Sequence, residues 1–167
     1  MGQTSFTFVK DYKKECGGDL LIGKRKIARP LSTKKPIHLN LKIKASFFNP
    51  SMRSLEKIIR VHASKYQIKI HELALNWTHV HFAIGIPSRR QYLAFIRTVT
   101  AEIVRALSKY QKKNLKGLFK HRPYTRILSG WGREFRALID YILENQQEAW
   151  GLLKRGQKKK PKTSKSG

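Results

Sequence analysis

The segment "IHLNLKIKA" (37–45) alternates without a break: Ile37, Leu39, Leu41 and Ile43 fall on one side, His38, Asn40, Lys42 and Lys44 on the other. A period of two marks a half-buried β-strand, and it requires an apolar layer over one whole face. "THVHFAIGI" (78–86) repeats the pattern, with Val80, Phe82, Ile84 and Ile86 on one face and His79, His81, Ala83 and Gly85 on the other. The covering layer is legible too. In 53–66, Leu55, Ile58, Ile59, His62, Ala63 and Tyr66 recur at helical spacing. A second helix opens on Ser88 and Gln91, a capping-box pair, and runs to about Asn114 with Tyr92, Ile96, Val99, Ile103, Leu107 and Tyr110 as its buried stripe. "IKIHELALN" (68–76) is a strand whose alternation slips near Glu72, which predicts a bulge. "HRPYTRIL" (121–128) is a fourth strand, weakened by Pro123, and after "GWG" a last helix runs from about Arg133 to Glu148.

The order is β-α-β-β-α-β-α, an α+β fold. Its first six elements form the ferredoxin-like βαββαβ pattern, an antiparallel sheet with two helices on one face, and the third helix is additional. A chain of 167 residues is one domain by default. The expected organisation is a basic N-terminal arm over 1–36, a folded domain over 37–152 and a basic disordered tail over 153–167, "KRGQKKKPKTSKSG" being low in complexity.

Charge narrows the partner. Thirty-six Lys and Arg against ten Asp and Glu give a net charge of +26. Such an excess attracts polyanions, because phosphate contacts release counterions. Nucleic acid leads, with an anionic membrane surface second. No apolar run reaches the roughly 18–20 residues of a membrane span, and "MGQTSFTFVK" holds no signal-peptide core. Cys16 is the only cysteine, which excludes an intrachain disulfide and a CxxC knuckle. A cytoplasmic, nucleoid-associated protein is expected.

Two clusters carry chemistry. His79 and His81 share one strand face, roughly 7 Å apart at their α-carbons, so their imidazoles can converge on one cation. They can equally be two ordinary solvent-side histidines; a structural zinc site would want four protein ligands. In "ALIDYILENQQEAWG" (137–151), Leu138, Ile142 and Ala149 form a packing stripe, while Tyr141 and Asn145 stand four apart on one helix face. Glu134, Asp140, Glu144 and Glu148 cluster here in an otherwise basic chain. A phenol is a poor nucleophile at its free pKa of about 10. A divalent ion on a phosphate would lower the barrier, and an Asn145 amide oxygen would complete a mixed N/O site suited to Mg²⁺ or Mn²⁺. Tyr141 alone also fits a packed helix-edge aromatic. Trp77 and Trp131 are candidates for stacking on unpaired bases, with core packing the favoured role for both.

"NWTHVHFAI" and "LIDYILENQQEAWG" together resemble the single-tyrosine HUH transposases, in particular the REP-associated tyrosine transposases (IS200-like), whose motifs are Asn-His-hydrophobic-His and Tyr-Ile-x-x-Asn. "KGLFKHRPYTRIL" looks like the family's strand before the tyrosine helix, and the likeness spans residues from about 17 to 151. Trp77 and Thr78 depart from the family by standing between Asn76 and the first histidine. The resemblance implies a ferredoxin-like catalytic domain over 37–152, Tyr141 as nucleophile, and His79, His81 and Asn145 as ligands of Mg²⁺ or Mn²⁺. It implies cleavage and rejoining of single-stranded or hairpin DNA through a 5′-phosphotyrosine, with no membrane partner. It leaves a homodimer open, since some relatives build each site from two subunits. Arg89, Arg90, Arg122, Arg126 and Lys42 are the expected DNA contacts. The alternative is a non-catalytic basic DNA- or RNA-binding protein of the same fold. Against it, the open sheet face offers Lys42, His79 and His81 where an RNA-recognition module would place aromatics.

Overall fold

The computed structural model describes residues 14–22, 28–43, 52–119 and 121–152. Expectations placed on 1–13 and 23–27 of the arm, and on the tail 153–167, lie outside the described residues.

Two short strands bracket the sheet's first edge. β1 (Glu15–Cys16) pairs antiparallel with β5 (Tyr124–Ile127), which pairs with β2 (Ile37–Lys42). β2 pairs in turn with β4 (His79–Gly85), and β4 with β3 (Lys69–Leu75). The order β1-β5-β2-β4-β3 is the antiparallel sheet of a ferredoxin-like domain with one extra edge strand. That strand falls within the stretch expected as an arm. Arg29 holds it there, donating to the Cys16 carbonyl at 2.9 Å and to Thr125 Oγ1 at 2.7 Å.

Alternation sorts the side chains as the sequence implies. Ile37, Leu39 and Leu41 of β2 join Val80, Phe82 and Ile84 of β4 beneath α1 (Met52–Lys65) and α2 (Arg89–Gln111), which contribute Leu55, Ile59, Tyr92, Phe95, Val99 and Ile103. The β3 register shifts between Ile70 and Glu72, the predicted bulge. Ser88 caps α2, its hydroxyl accepting from the Gln91 amide at 3.2 Å. α2 ends at Gln111, three residues earlier than expected, because Lys112 turns into the left-handed region at φ 50°. β5 is shorter than its sequence segment; it starts at Tyr124, after Pro123, which has no N–H to give a ladder.

The third helix, α3 (Arg133–Ala149), lies on the sheet's opposite face. Leu138 and Ile142 press onto Ala74, Ala83 and Leu128, forming a second, smaller apolar cluster. Ala83 therefore seats a helix and does not front an open surface. No helix among the described residues is long and apolar enough to cross a membrane.

Candidate active site

Small side chains at Ala74 and Ala83 let α3 approach closely, and one turn of that helix then overhangs the histidine strand. β2 and β4 are in register so that Asn40 opposes His81 and Lys42 opposes His79. Diagonal neighbours on one face come within reach of long side chains. His38 Nε2 accordingly meets His81 Nδ1 at 3.1 Å, with the two rings stacked at 5.4 Å and 19°. The His79 and His81 rings stand edge-to-face at 4.5 Å. Thr78 Oγ1 lies 3.0 Å from His79 Nδ1.

Tyr141 closes the group from above. Its ring centroid is 5.3 Å from that of His81 and 6.2 Å from that of His38, edge-on to both. The phenol is 46% exposed, whereas His81 is only 2% exposed. The nucleophile candidate and one histidine of the expected pair, His81, thus meet within a single chain.

Burial decides the protonation state. Desolvation pushes the His81 pKa down to about 3, aided by its neighbours His79 and His38. Desolvation, with the Arg126 charge nearby, holds His38 at about 4. Both imidazoles are neutral at neutral pH, so each keeps a lone pair on one of its two ring nitrogens. With Nδ1 engaged by His38, the buried Nε2 of His81 has no hydrogen-bond partner among the described residues, and neither has Asn40 Oδ1. A buried polar atom without a partner is costly unless something occupies it. Asn145 Nδ2 donates to the Tyr141 carbonyl at 2.8 Å, which leaves its Oδ1 outside that bond. Among the described residues, no three His, Cys, Asp or Glu side chains form a group able to hold a metal ion. An ion here would take two imidazoles and an amide oxygen from the protein, and the orphaned Nε2 fits that donor set.

The basic residues divide. Arg126 lines a cavity of about 360 Å³ with His38, Tyr124, Glu134 and Tyr141. It is ion-paired with Glu134, whose carboxylate also accepts from the Ser129 hydroxyl and from the Ser129 amide at 2.6 Å. Those Ser129 bonds, then Arg126, hold the Glu134 pKa at about 2. Lys42 and Arg122 share a second cavity of about 260 Å³ with Asn40 and Tyr124, where Lys42 pairs with Asp19 at 3.4 Å. Arg89 and Arg90 stand apart: they follow the far end of β4 from His79, roughly 20 Å along the strand. Arg89 donates to the Arg29 carbonyl at 2.6 Å.

His38 and Tyr124 are site residues whose proximity to the phenol sequence reasoning did not state. The signal was present for His38, which shares the His81 face by alternation. For Tyr124 it was not, because its place depends on β5 pairing beside β2. Trp131 is not a core residue as expected: it lies against His71 and Phe135 and donates its indole N–H to the Lys34 carbonyl at 3.1 Å, but stays 47% exposed.

No family model matches the chain, and no curated protein matches it in sequence. Solved structures do match. A REP-associated tyrosine transposase bound to a REP hairpin superposes with a TM-score of 0.59 and 13% identity, over 77% of this chain and 76% of that one. A Deinococcus radiodurans protein assigned as a transposase matches at 20% identity over 73% of this chain and 98% of its own, with a TM-score of 0.47 that adds nothing to the fold comparison. The chain is built on the fold of the REP-associated tyrosine transposase.

Proposed function

We propose that this chain cleaves and rejoins DNA at a single-stranded or hairpin substrate, with Tyr141 as the nucleophile. The observation that carries the reading is the Tyr141 phenol standing over the buried, neutral His81, whose Nε2 has no hydrogen-bond partner among the described residues. The transposase of the same fold is bound to a REP hairpin, which makes hairpin DNA the first substrate to test.

In this reading the Tyr141 hydroxyl oxygen attacks phosphorus in line, and the P–O3′ bond breaks as the P–O(Tyr) bond forms. The products are a 5′-phosphotyrosine and a 3′-hydroxyl that takes up a proton. Attack by a 3′-hydroxyl reverses the exchange, so rejoining needs no external energy source. His79 and His81, with Asn145 as amide ligand, are the residues that would hold Mg²⁺ or Mn²⁺, which when bound supplies charge neutralisation on the phosphoryl oxygens. His38 fixes the His81 ring through its Nδ1. Arg126, in the cavity shared with Tyr141, is placed to face the phosphate once Glu134 yields it.

The test is incubation of the protein with palindrome-containing single-stranded DNA and Mn²⁺, followed by a denaturing gel. A protein–DNA adduct is expected, absent in Tyr141→Phe while DNA affinity stays within about twofold. An adduct in the phenylalanine variant would overturn the nucleophile, and none in the wild type would leave a passive binder.

A further inference from the structure

Two of the three tryptophans have no structural task. All three are partly exposed, but Trp131, at 47%, is held by His71, Phe135 and the Lys34 carbonyl; the other two are Trp77 at 39% and Trp150 at 61%. Neither ring pairs with another aromatic, and neither indole N–H donates a hydrogen bond, among the described residues. Both line one groove of about 750 Å³, with Met52, Arg53 and Glu56 from the start of α1 and Leu75, Gln146, Ala149 and Gly151 from β3 and the end of α3.

The groove is held from three sides. Gln146 Oε1 accepts from the Leu75 amide at 2.9 Å, tying the end of α3 to the base of the β3–β4 turn. Asn76 brackets that turn, its amide donating to the His79 carbonyl at 2.8 Å and its Oδ1 accepting from the Trp77 amide at 2.7 Å. Past Trp150 the chain reverses through Gly151 at φ +73°, and the Leu152 amide closes on the Gln147 carbonyl at 2.9 Å. Two large flat apolar rings are therefore displayed to water on fixed backbone. Such exposure ordinarily marks a binding surface.

Charge and position select the occupant. The chain carries +26, and Arg53 at the groove is in no ion pair among the described residues, while Glu56 is engaged by Arg60 at 2.8 Å. The groove adjoins the candidate active site: Gln146 follows Asn145, and Trp77 precedes His79 by two residues. We propose that it holds an unpaired nucleobase of the strand whose phosphate lies at Tyr141, stacked on Trp77 or Trp150, with Arg53 on a neighbouring phosphate. Stacking on indole suits any base, since every base has a π-face. The inference rests on the DNA-handling reading of the Tyr141 face.

The experiment is anisotropy with the full chain and labelled single-stranded oligonucleotides carrying an abasic site at each position in turn. For the wild type, one or two abasic positions are expected to weaken binding about five- to a hundredfold, the range of one base–aromatic stack. Trp77→Ala or Trp150→Ala should weaken the intact strand by a similar factor and become indifferent to those abasic positions. Phenylalanine at either position should restore most of the affinity. Unchanged affinity in both alanine variants, or a loss that an abasic site compounds, overturns the proposal. So does sedimentation showing that the alanine changes dissolve a dimer and leave DNA binding untouched. The adduct gel is run in parallel: an abasic signature without an adduct sinks the cleavage reading and keeps the groove, and an adduct without the signature does the reverse.

Discussion

His81 concentrates the argument at the scale of one residue. A histidine at 2% exposure has lost its solvent, and its ring bonds to another histidine, the half-buried His38. Both folded pKa values are depressed from 6.5, to about 3 for His81 and about 4 for His38. Below pH 6.5 the unfolded chain takes up protons that the folded chain refuses. Stability from this pair is complete above that pH and drains away as acid is added, until the folded values are reached. Urea unfolding between pH 6.5 and 4.5 is expected to show stability falling by up to about 1.4 kcal/mol per pH unit for each histidine. His38→Phe should remove one such contribution from the slope; an unaltered slope would mean that His38 is protonated in the folded protein. That His79 and His81 share one strand face was legible from their spacing. The His38 contact was not, because it depends on a cross-strand diagonal that appears only once the register is known.

Among the elements, α3 decides whether there is a site at all. Its stripe of Leu138, Ile142 and Ala149 tells that it packs, and not on what. Ala83 and Gly85 read naturally as clearance for a ligand, whereas Ala83 is buried under the helix and Gly85 lies close to His71 and Trp131. The helices over the large core and the bulge near Glu72 were readable because a continuous apolar stripe or alternation has one partner available to it. β1 was not, as two residues carry no period. Ile142 is fully buried in the small cluster beside Tyr141. Ile142→Ala should cost about 2–4 kcal/mol in the denaturant unfolding of α3 against the sheet, and adduct yield should fall with it. Loss of yield without loss of stability would assign Ile142 a role other than seating the helix.

For the whole molecule, the proposed function raises the question of where a polyanion would lie on a chain carrying +26. Beside the candidate site Asp19 pairs with Lys42 and Glu134 with Arg126, so in the proposed reading a phosphate would take these cations from their carboxylates. Arg122 borders the Lys42 cavity, while Arg89 and Arg90 lie beyond the other end of β4. A strand tracking the histidine face predicts that Arg122→Ala lowers the slope of log affinity against log salt by about 0.7, one single-strand phosphate contact, and that Arg90→Ala leaves it unchanged. Equal effects from both would place the DNA over α2. The two apolar clusters, one beneath α1 and α2 and one beneath α3, are separated by a single thickness of sheet. That sheet works as a partition: what sustains the architecture stands behind it, and what could perform a reaction stands in front. Replacing the phenol and imidazoles would therefore leave the large cluster behind the sheet, and the silhouette it sustains, intact.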